Sequence, residues 1–364
     1  MKYINEYRDP ELAKKYLDEI KKTVTQSWSI MEVCGGQTHS LVKNGIIEML
    51  PKEVTMIHGP GCPVCVTPLH LIDKAIHLAL NENVILCSFG DMLRVPGSKI
   101  NLLEAKAKGA DIRILYSPLE AVKIAEDNPE RQVVFFAVGF ETTAPANALS
   151  VIHAHRKGLS NYSIFASHVL VPPAMKAVID DEESHIDGFL AAGHVCTIMG
   201  NAEYHPLSSA YDVPIVVTGF EPLDVLQGIL MVIRQLESDK AQVENQYSRI
   251  VKEEGNPDAQ QVIFEVFEIK NQMWRGIGEI PESGYGVKDK YAQFDANRKF
   301  QISIEEAPEH PECISGQIMK GIKKPYECAQ FGKKCKPSFP LGAPMVSSEG
   351  ACAAYYHFSG MVEV

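Results

Sequence analysis

The chain reads Ser29-Ile30-Met31-Glu32-Val33-Cys34-Gly35-Gly36-Gln37-Thr38-His39 close to its start. The first five of these residues form a short, mostly apolar run, and a cysteine and two glycines follow it. Such a run, ended by glycine, is typical of a buried strand that turns into a helix. Similar runs recur roughly every 20–30 residues, with helix-like stretches between them. This rhythm predicts an α/β fold that is built on parallel sheets.

Eight apolar runs carry this prediction. The predicted strands are Ser29–Val33, Val54–His58, Asn83–Ser88, Ile112–Tyr116, Val133–Val138, Tyr162–Ala166, Gly188–Ala192 and Pro214–Thr218. Two of them end in the same tripeptide, as Gly139-Phe140-Glu141 and Gly219-Phe220-Glu221, which is a weak internal repeat. We therefore predict two Rossmann-like parallel-sheet domains related by a pseudo-repeat, in preference to one closed barrel.

The predicted domain boundaries follow from where this rhythm begins and stops. The first α/β domain spans residues 26–128 and the second spans residues 129–232. We group residues 1–25, which form an amphipathic helix, with residues 233–364 in a third, mostly helical or irregular domain. The end of the chain contains four cysteines, several prolines and few long apolar runs, so a bound metal would compensate for its small core.

The composition and the net charge of the chain indicate which class of protein it belongs to. The chain has 364 residues, of which 45% are hydrophobic and 22% charged, and its formal charge is −11. These values are typical of a globular protein of more than one domain, and they argue against a nucleic-acid partner. The first residues lack the apolar core of a signal peptide, and no apolar run is long enough for a membrane span. We therefore expect a cytoplasmic protein, in which nine cysteines indicate metal binding or catalysis rather than structural disulfides.

Cys34 is the first candidate for chemistry. It follows a predicted strand and precedes a predicted helix, so the positive end of the helix dipole would lower its pKa and favour the thiolate. The alternative is a small buried residue at a tight turn. Polar residues also follow the other strands, where ligands bind in open parallel sheets. These further candidates are His58, Asp91, Arg94, Glu141, Thr142, Thr143, His168, His194, Glu221 and Asp224.

Cys62 and Cys65 form a Cys-Pro-Val-Cys motif at the start of another predicted helix. This arrangement is found at sites of thiol–disulfide exchange. The two thiols could also supply two ligands to zinc or to an iron–sulfur cluster. Because parallel strands end at one edge of a sheet, we expect this pair to lie at the same edge as Cys34.

Four further cysteines lie in the last part of the chain, at Cys313, Cys328, Cys335 and Cys352. Four thiolates suit either a four-iron cluster or a structural zinc ion. The spacing matches neither a ferredoxin run nor a zinc ribbon, so it leaves the metal open. Of the two remaining cysteines, Cys87 lies in an apolar run and is expected in the core, while Cys196 belongs to no pattern.

Taken together, four motifs make the chain resemble the HypD family of hydrogenase maturation factors. They are Cys34-Gly35-Gly36-Gln37-Thr38-His39, Gly59-Pro60-Gly61-Cys62-Pro63-Val64-Cys65, Gly139-Phe140-Glu141-Thr142-Thr143 and Met345-Val346-Ser347-Ser348-Glu349-Gly350-Ala351-Cys352. The motifs are long, they occur in the family's order, and they run from near residue 29 to residue 352, so the resemblance covers nearly the whole chain.

The resemblance implies a scaffold for metal-centre assembly rather than a conventional turnover enzyme. Members have two similar α/β domains and a third that carries one four-iron, four-sulfur cluster, whose ligands here would be Cys313, Cys328, Cys335 and Cys352. A member pairs with the small chaperone HypC, and on this pair a transient iron acquires two cyanides and one carbon monoxide. HypE supplies cyanide as a thiocyanate, and the finished Fe(CN)2CO unit passes to a nickel–iron hydrogenase. Alone, the protein would be a monomer.

The same resemblance assigns roles to individual residues. Cys34 would hold the iron together with a cysteine of the chaperone, and His39 would be a second ligand or a hydrogen-bonding neighbour. Cys62 and Cys65 would supply two electrons for cyanide release by becoming a disulfide. Gln37 stands where many relatives have histidine, and an amide is a poor ligand for soft iron. The alternative function is that of a thiol–disulfide oxidoreductase with a structural zinc.

Overall fold

The computed structural model describes residues 5–304 and 307–360 and has an α/β architecture, which confirms the predicted fold class. Its strands are β1 Trp28–Glu32, β2 Val54–His58, β3 Ile85–Ser88, β4 Ile112–Ile114, β5 Val133–Gly139, β6 Tyr162–Val169, β7 Gly188–Ala192, β8 Ile215–Thr218, β9 Val243–Asn245, β10 Phe267–Trp274 and β11 Gly278–Val287. All eight predicted strands are present among them.

Sixteen α-helices lie in the described part of the chain. They are α1 Pro10–Thr23, α2 Gly35–Lys43, α3 Ile46–Met49, α4 Pro63–Val66, α5 Leu69–Asn81, α6 Leu102–Ala107, α7 Pro118–Asp127, α8 Ala144–Arg156, α9 Val171–Ile179, α10 Gly193–Met199, α11 Tyr204–Tyr211, α12 Pro222–Leu236, α13 Pro257–Val266, α14 Ala296–Phe300, α15 Ser315–Met319 and α16 Ala351–Phe358. Short 3₁₀ turns add Asn5–Arg8, Gly90–Arg94, Asp289–Phe294, Pro325–Glu327 and Ala343–Met345. Within the described ranges, no helix combines the length and the apolar character that crossing a bilayer requires.

Two sheets organise these elements. The first has the strand order β2-β1-β7-β8-β9 and is parallel throughout. The second has the order β10-β11-β6-β5-β3-β4, in which β3 to β6 are parallel and the β10–β11 hairpin adds antiparallel strands to one edge. Helices cover the sheets, and the strands β3, β5, β6, β7 and β8 are buried along their whole length, as is typical of parallel sheets.

The strands are shared between the sheets differently from the predicted boundary at residue 128. The first sheet combines β1 and β2 with β7, β8 and β9, while β3 to β6 lie in the second sheet. The chain therefore leaves the first sheet after residue 58, builds the parallel part of the second, and returns at residue 188. A parallel pair always needs a crossover, and this crossover is long enough to contain most of another sheet.

The elements that we grouped into a third domain pack on both sheets. Helix α1 begins at an Asp9 cap followed by Pro10 and packs on α12 of the first sheet, where Ile20 is fully buried. The β10–β11 hairpin, which lies within residues 233–364, joins the second sheet. An amphipathic helix stabilises whichever apolar surface its stripe fits, and the sequence stripe of α1 does not identify that surface.

Residues 313–358 contain little regular structure, but they are anchored to the first sheet. Their last helix, α16, packs on α2 through a small buried cluster of Val42, Ala354 and Tyr355. Helix α2 is the helix that begins directly after Cys34. This contact brings the segment with the four cysteines against the edge of the sheet where Cys34 lies.

Candidate functional site

Cys34 lies where β1 ends, at the N-cap of α2, and only 2% of its surface is exposed. Its sulfur faces the imidazole of His194, at 3.6 Å from Nδ1 and 3.8 Å from Nε2. His194 belongs to the first turn of α10, directly after β7, and β7 pairs with β1. The two side chains meet because their neighbouring parallel strands end at one edge of the sheet.

The protonation of this pair differs from the sequence-based expectation. Burial raises the pKa of the Cys34 thiol well above its ordinary value, and the carboxylates of Glu349 and Glu32 raise it further. The backbone amides at the start of α2 act in the opposite direction but do not compensate. The predicted low pKa was therefore wrong, since burial outweighs the helix end. Burial also lowers the pKa of His194 to about 4, so its imidazole is neutral at pH 7.

His39 does not share the surroundings of Cys34 in this structure. Its Nδ1 lies 3.3 Å from the carbonyl oxygen of Ser348, and its ring packs edge-on against Phe358 at a centroid distance of 5.1 Å. The imidazole beside Cys34 is instead that of His194. The position of His194 after a strand was visible in the sequence, but its pairing with Cys34 depends on which strands are neighbours.

Gln37 has a structural role in the described chain. Its Nε2 donates to the carbonyl of Ala191, at 3.0 Å, and to the hydroxyl of Thr218, so it ties α2 to the ends of β7 and β8. Its Oε1 is buried and has no hydrogen-bond partner among the described residues. The side chain thus holds the helix that follows Cys34 against the strand end that precedes His194.

Cys62 and Cys65 form a disulfide in the short helix α4, which follows β2. The Cys62 sulfur also accepts the backbone N–H of Cys65 at 3.2 Å, as an N-cap. The loop before the pair lies against the start of α2, because the Gly35 N–H donates to the Gly61 carbonyl at 2.8 Å. The pair and Cys34 therefore lie at the same edge of the first sheet, as expected.

Gly61 is required at this contact. A Cβ on Gly61 would lie 2.2 Å from the backbone nitrogen of Cys34, whereas a Cβ on the exposed Gly90 would meet only Ile114, at 3.8 Å. We expect Gly61→Ala to lower the free energy of unfolding by about 1–3 kcal/mol or more. Gly90→Ala is the matched control, with an expected change of at most about 0.5 kcal/mol. Denaturant titration measures both, and equal values for the two variants would contradict the close approach at Gly61.

A buried hydrogen-bond network links Glu32 to Thr38 and, through His58, to Tyr355. Glu32, which is fully buried, accepts the backbone N–H of Cys34 at 2.9 Å and the hydroxyl of Thr38. Its Oε1 is 2.8 Å from Nδ1 of His58, whose Nε2 is 3.0 Å from the Tyr355 hydroxyl. Sequence reasoning gave no role to Glu32 or Tyr355. The one indication of a role in the sequence was that Glu32 is an acidic residue inside an apolar strand run.

The four C-terminal cysteines surround one small cavity. Cys313, Cys328, Cys335 and Cys352 all line it, together with apolar residues that include Ile318 and Pro344. Burial raises the pKa of the Cys352 thiol, and the other three cysteines raise it further, as expected for thiols that lie close together. In residues 5–304 and 307–360, no group of three or more His, Cys, Asp or Glu side chains is already arranged around a single metal-ion position.

This cavity adjoins a second one, which is lined by the disulfide. Cys62 and Cys65 line the second cavity together with Thr38, His58 and Glu349. Ile318 and Pro344 line both cavities. The cavity of the disulfide and the cavity of the four thiols therefore share part of their lining.

The other candidates at strand ends have structural partners. Glu141 accepts the backbone N–H of Val171 at 2.9 Å, at the start of α9, and burial raises the pKa of Glu141 to about 8. His168 is buried against Asn147, and burial lowers its pKa to about 3. Thr143 donates its hydroxyl to the carbonyl oxygen of the preceding turn.

Charged candidates elsewhere form ion pairs. Arg94 pairs with Asp91 at 2.9 Å and donates to a carbonyl of the C-terminal segment. Asp224 pairs with Arg249, and Glu221 with a residue of the first 3₁₀ turn. Cys87 is fully buried in β3, which confirms its predicted place in the core, and Cys196 is buried in α10.

Comparisons with known proteins identify the same family that the sequence motifs resemble. The family model described as "HypD: Hydrogenase formation hypA family" matches residues 11–359. The chain is 47% identical to hydrogenase maturation factor HypD2 of Bradyrhizobium diazoefficiens, over 98% of this chain and 97% of the relative. It is 47% identical to HypD of Rhodobacter capsulatus, over 99% of both chains, and 42% identical to HypD of Escherichia coli, over 98% of both.

Proposed function

The chain belongs to the HypD family of hydrogenase maturation factors, and from this premise we propose that it is the scaffold and redox component on which the Fe(CN)2CO unit of a nickel–iron hydrogenase is assembled. In this proposal it works in the cytoplasm, pairs with the chaperone HypC and receives cyanide from HypE. It is a monomer until these partners bind.

The observation that carries the proposal is the Cys34 thiol facing a neutral imidazole at the open edge of a parallel sheet. A thiolate and an imidazole are both good ligands for iron. Iron that binds Cys34 displaces the thiol proton, which overcomes the raised pKa, because metal binding and deprotonation are coupled. We propose His194, rather than His39, as the second group from this chain at the iron, since the ring of His194 lies 3.6 Å from the sulfur.

The disulfide-forming pair supports the cyanide chemistry. Release of cyanide from a protein thiocyanate needs two electrons, and two thiols supply them when they become a disulfide. Cys62 and Cys65 are close enough to be joined, and they lie at the same sheet edge as Cys34. Once the disulfide is reduced, the pair would therefore hold these two electrons at the sheet edge where the iron is proposed to bind.

The four thiols around the apolar cavity fit a four-iron, four-sulfur cluster. Four thiolates are the usual ligands of such a cluster, and Cys313, Cys328, Cys335 and Cys352 would hold it. When bound, the cluster supplies one-electron chemistry. Ile318 and Pro344, which line both the cavity of the four thiols and that of the disulfide, would help to exclude water from both.

A cluster gives a direct test of this part of the proposal. Protein purified without oxygen is expected to be brown, with the broad visible absorbance of an iron–sulfur cluster and about four iron atoms per chain. Cys335→Ser is expected to lose most of this absorbance because it removes one ligand thiolate. Cys87→Ser, which changes a buried thiol in the second sheet, is the matched control and is expected to keep it. A colourless protein with one zinc ion would favour the oxidoreductase alternative instead.

The experiment that tests the function as a whole is infrared spectroscopy of the chain isolated without oxygen, together with its chaperone. The proposal requires bands from bound cyanide and carbon monoxide. If the complex carries a full complement of iron but shows neither band, the proposed cargo is wrong.

A further inference from the structure

We propose that Phe220 is a positioning residue, which holds the imidazole of His194 against the sulfur of Cys34. The inference rests on the proposed function, because it adds a residue to the site at which iron is proposed to bind. Phe220 belongs to the Gly-Phe-Glu tripeptide that occurs twice in the chain, and the roles proposed above for the cluster and the disulfide do not involve it.

The first argument is the place of Phe220 along the edge of the first sheet. The strands of this sheet lie in the order β2-β1-β7-β8-β9. Cys34 follows β1, His194 is in the first helical turn after β7, and Phe220 comes two residues after β8. Because parallel strands end at one edge of a sheet, the three side chains come to lie in a row, with His194 between the other two.

The second argument is the direct contact between the two rings. The ring of Phe220 packs on that of His194, with 4.9 Å between the centroids and an angle of 44° between the planes. Nδ1 of the imidazole in turn lies 3.6 Å from the Cys34 sulfur. A histidine side chain can rotate about two bonds, and a ring that packs on it removes part of this freedom. The contact with Phe220 therefore favours the rotamer that faces the sulfur.

Gly36 gives Phe220 the room for this contact. A Cβ on Gly36 would lie 3.1 Å from Cδ1 of Phe220 and 3.7 Å from the Cys34 sulfur. The Phe220 ring therefore lies against the first turn of α2, close to the thiol as well as to the imidazole. A side chain at position 36 would be in contact with both the ring and the sulfur.

Tyr247 supports Phe220 from the end of the next strand. It follows β9, and its ring meets that of Phe220 edge-on, with 6.1 Å between the centroids. A Cβ on Gly193 would lie 2.7 Å from the Tyr247 ring, and a Cβ on Gly219 would lie 2.8 Å from it. These glycines directly precede His194 and Phe220, so the Tyr247 ring lies against the backbone of both. Phe220 is thus packed between a tyrosine that supports it and the histidine that it orients.

The other copy of the tripeptide provides a comparison. Phe140 follows β5 in the second sheet, and only 3% of its surface is exposed. Its ring packs on that of Trp274, at a centroid distance of 6.2 Å. Phe140 is thus a core residue, whereas Phe220 is half-buried and contacts the imidazole beside Cys34. The role of Phe220 therefore follows from its place in the site rather than from the tripeptide.

A fixed imidazole matters for binding a metal ion. Ligands bind best when neighbouring side chains have oriented them before the metal arrives, because ordering a free side chain costs rotamer entropy. The Phe220 side chain is a hydrocarbon and has no atom that can bind iron. Its effect on the site therefore passes through His194, and this dependence can be measured.

A double-mutant cycle tests whether Phe220 acts through His194. The variants are Phe220→Leu, His194→Ala and the two combined, each in the full, cluster-loaded chain. The measurement is the rate at which iodoacetamide alkylates Cys34 in the absence of oxygen. The product is quantified by mass spectrometry of the tryptic peptide 23–43, in which Cys34 is the only cysteine.

Two controls show whether an effect is local. Cys87 and Cys196 are fully buried, and their alkylation in the same sample reports on a general loosening of the chain. Phe358→Leu is the matched variant, because Phe358 packs edge-on against a different imidazole, that of His39, at a centroid distance of 5.1 Å. This variant should leave the alkylation rate of Cys34 unchanged.

We expect Phe220→Leu to raise the alkylation rate of Cys34 by about three- to tenfold, which is the factor expected for the loss of one aromatic contact. His194→Ala should raise the rate at least as much, because it removes the ring that faces the sulfur. The double variant should match His194→Ala, since Phe220 then has no imidazole to position. In the complex with the chaperone, Phe220→Leu should weaken the cyanide and carbon monoxide bands by a similar factor at equal cluster content.

Four results would overturn the inference. The first is a Cys34 rate in Phe220→Leu that equals the wild-type rate. The second is a double variant whose effect is the product of the two single effects, because Phe220 would then shield Cys34 independently of His194. The third is an equal rise at the two fully buried control cysteines, which indicates loosening. The fourth is a Phe220→Leu complex with bands of wild-type intensity.

A second variant covers the case in which Phe220→Leu does not fold. Tyr247→Leu then takes its place in the same cycle, because it removes the support of the Phe220 ring, and the same results decide. The alkylation cycle contains no iron. A wild-type complex without cyanide and carbon monoxide bands would therefore overturn the proposed cargo, whereas the coupling of Phe220 to His194 would stand.

Discussion

Replacing Cys34 by alanine is expected to abolish the iron–cyanide bands while leaving the fold and the cluster intact. The thiol is the only sulfur that faces His194 in the described structure, so its loss removes the proposed anchor of the iron. Alanine fills most of the same buried space, and the backbone contact of Cys34 with Glu32 is unchanged. Infrared spectra of the anaerobic complex with the chaperone measure the effect, and visible absorbance reports on the cluster.

The control for this experiment is another buried thiol. Cys87→Ala removes a sulfur of equal burial from β3, in the second sheet, and should leave the cyanide and carbon monoxide bands unchanged. Bands of wild-type intensity in Cys34→Ala would contradict the role of Cys34. Loss of the bands in both variants would indicate that they report on general stability.

Replacing either cysteine of the Cys62–Cys65 pair by serine is expected to reduce hydrogenase maturation to background. A single thiol cannot close the disulfide, so the two electrons for cyanide release are no longer available. Cys62→Ser is the cleaner variant, because the serine hydroxyl can accept the Cys65 N–H that the sulfur accepts now. The measurement is hydrogenase activity in cells that lack their own copy of the gene and carry the variant.

The same experiment separates the proposal from a simpler one. If the chain served only as a binding platform for the chaperone, Cys62→Ser would retain full maturation activity. Binding of the chaperone by the variant should therefore be measured in parallel, since the proposed redox role predicts normal binding with lost activity.

The parts of the fold that the sequence predicted are those that depend on local pattern. Apolar runs such as Val133–Val138 become buried strands because parallel strands are covered on both faces. Cys34 and the Cys62–Cys65 pair share a sheet edge because β1 and β2 are sequential and neighbouring. Local pattern also identified the amphipathic helix α1 near the start of the chain.

The parts that the sequence did not predict depend on which strands become neighbours. β1 pairs with β7, about 160 residues later in the chain. The apolar periodicity of a strand does not indicate which other strand will be its neighbour. The β10–β11 hairpin was missed because residues 268–271 are exposed and polar in large part, and because the following stretch is rich in glycine. Both facts determine which strands share a sheet.

The candidate site also combines features that local sequence patterns predicted with features that depend on which strands are neighbours. The cysteine motifs were found from the sequence, but the pairing of Cys34 with His194 requires the partner strand β7. The raised pKa of the Cys34 thiol reflects complete burial, which a sequence rule for helix ends does not include. The place of His58 between Glu32 and Tyr355 depends on α16, almost 300 residues away in the chain.

The interleaved order of the strands has a consequence for how the protein emerges from the ribosome. β1 is an inner strand of its sheet, but its partner β7 is made only after β3 to β6. Domains generally fold as units during synthesis. The second sheet can therefore begin to form while β1 and β2 still lack the partner strand β7. The pocket of Cys34 cannot exist before residues 188–194 are exposed, and the four-cysteine segment follows more than 100 residues later. A nascent chain therefore cannot bring Cys34 and His194 together until residue 194 of its 364 residues has been made.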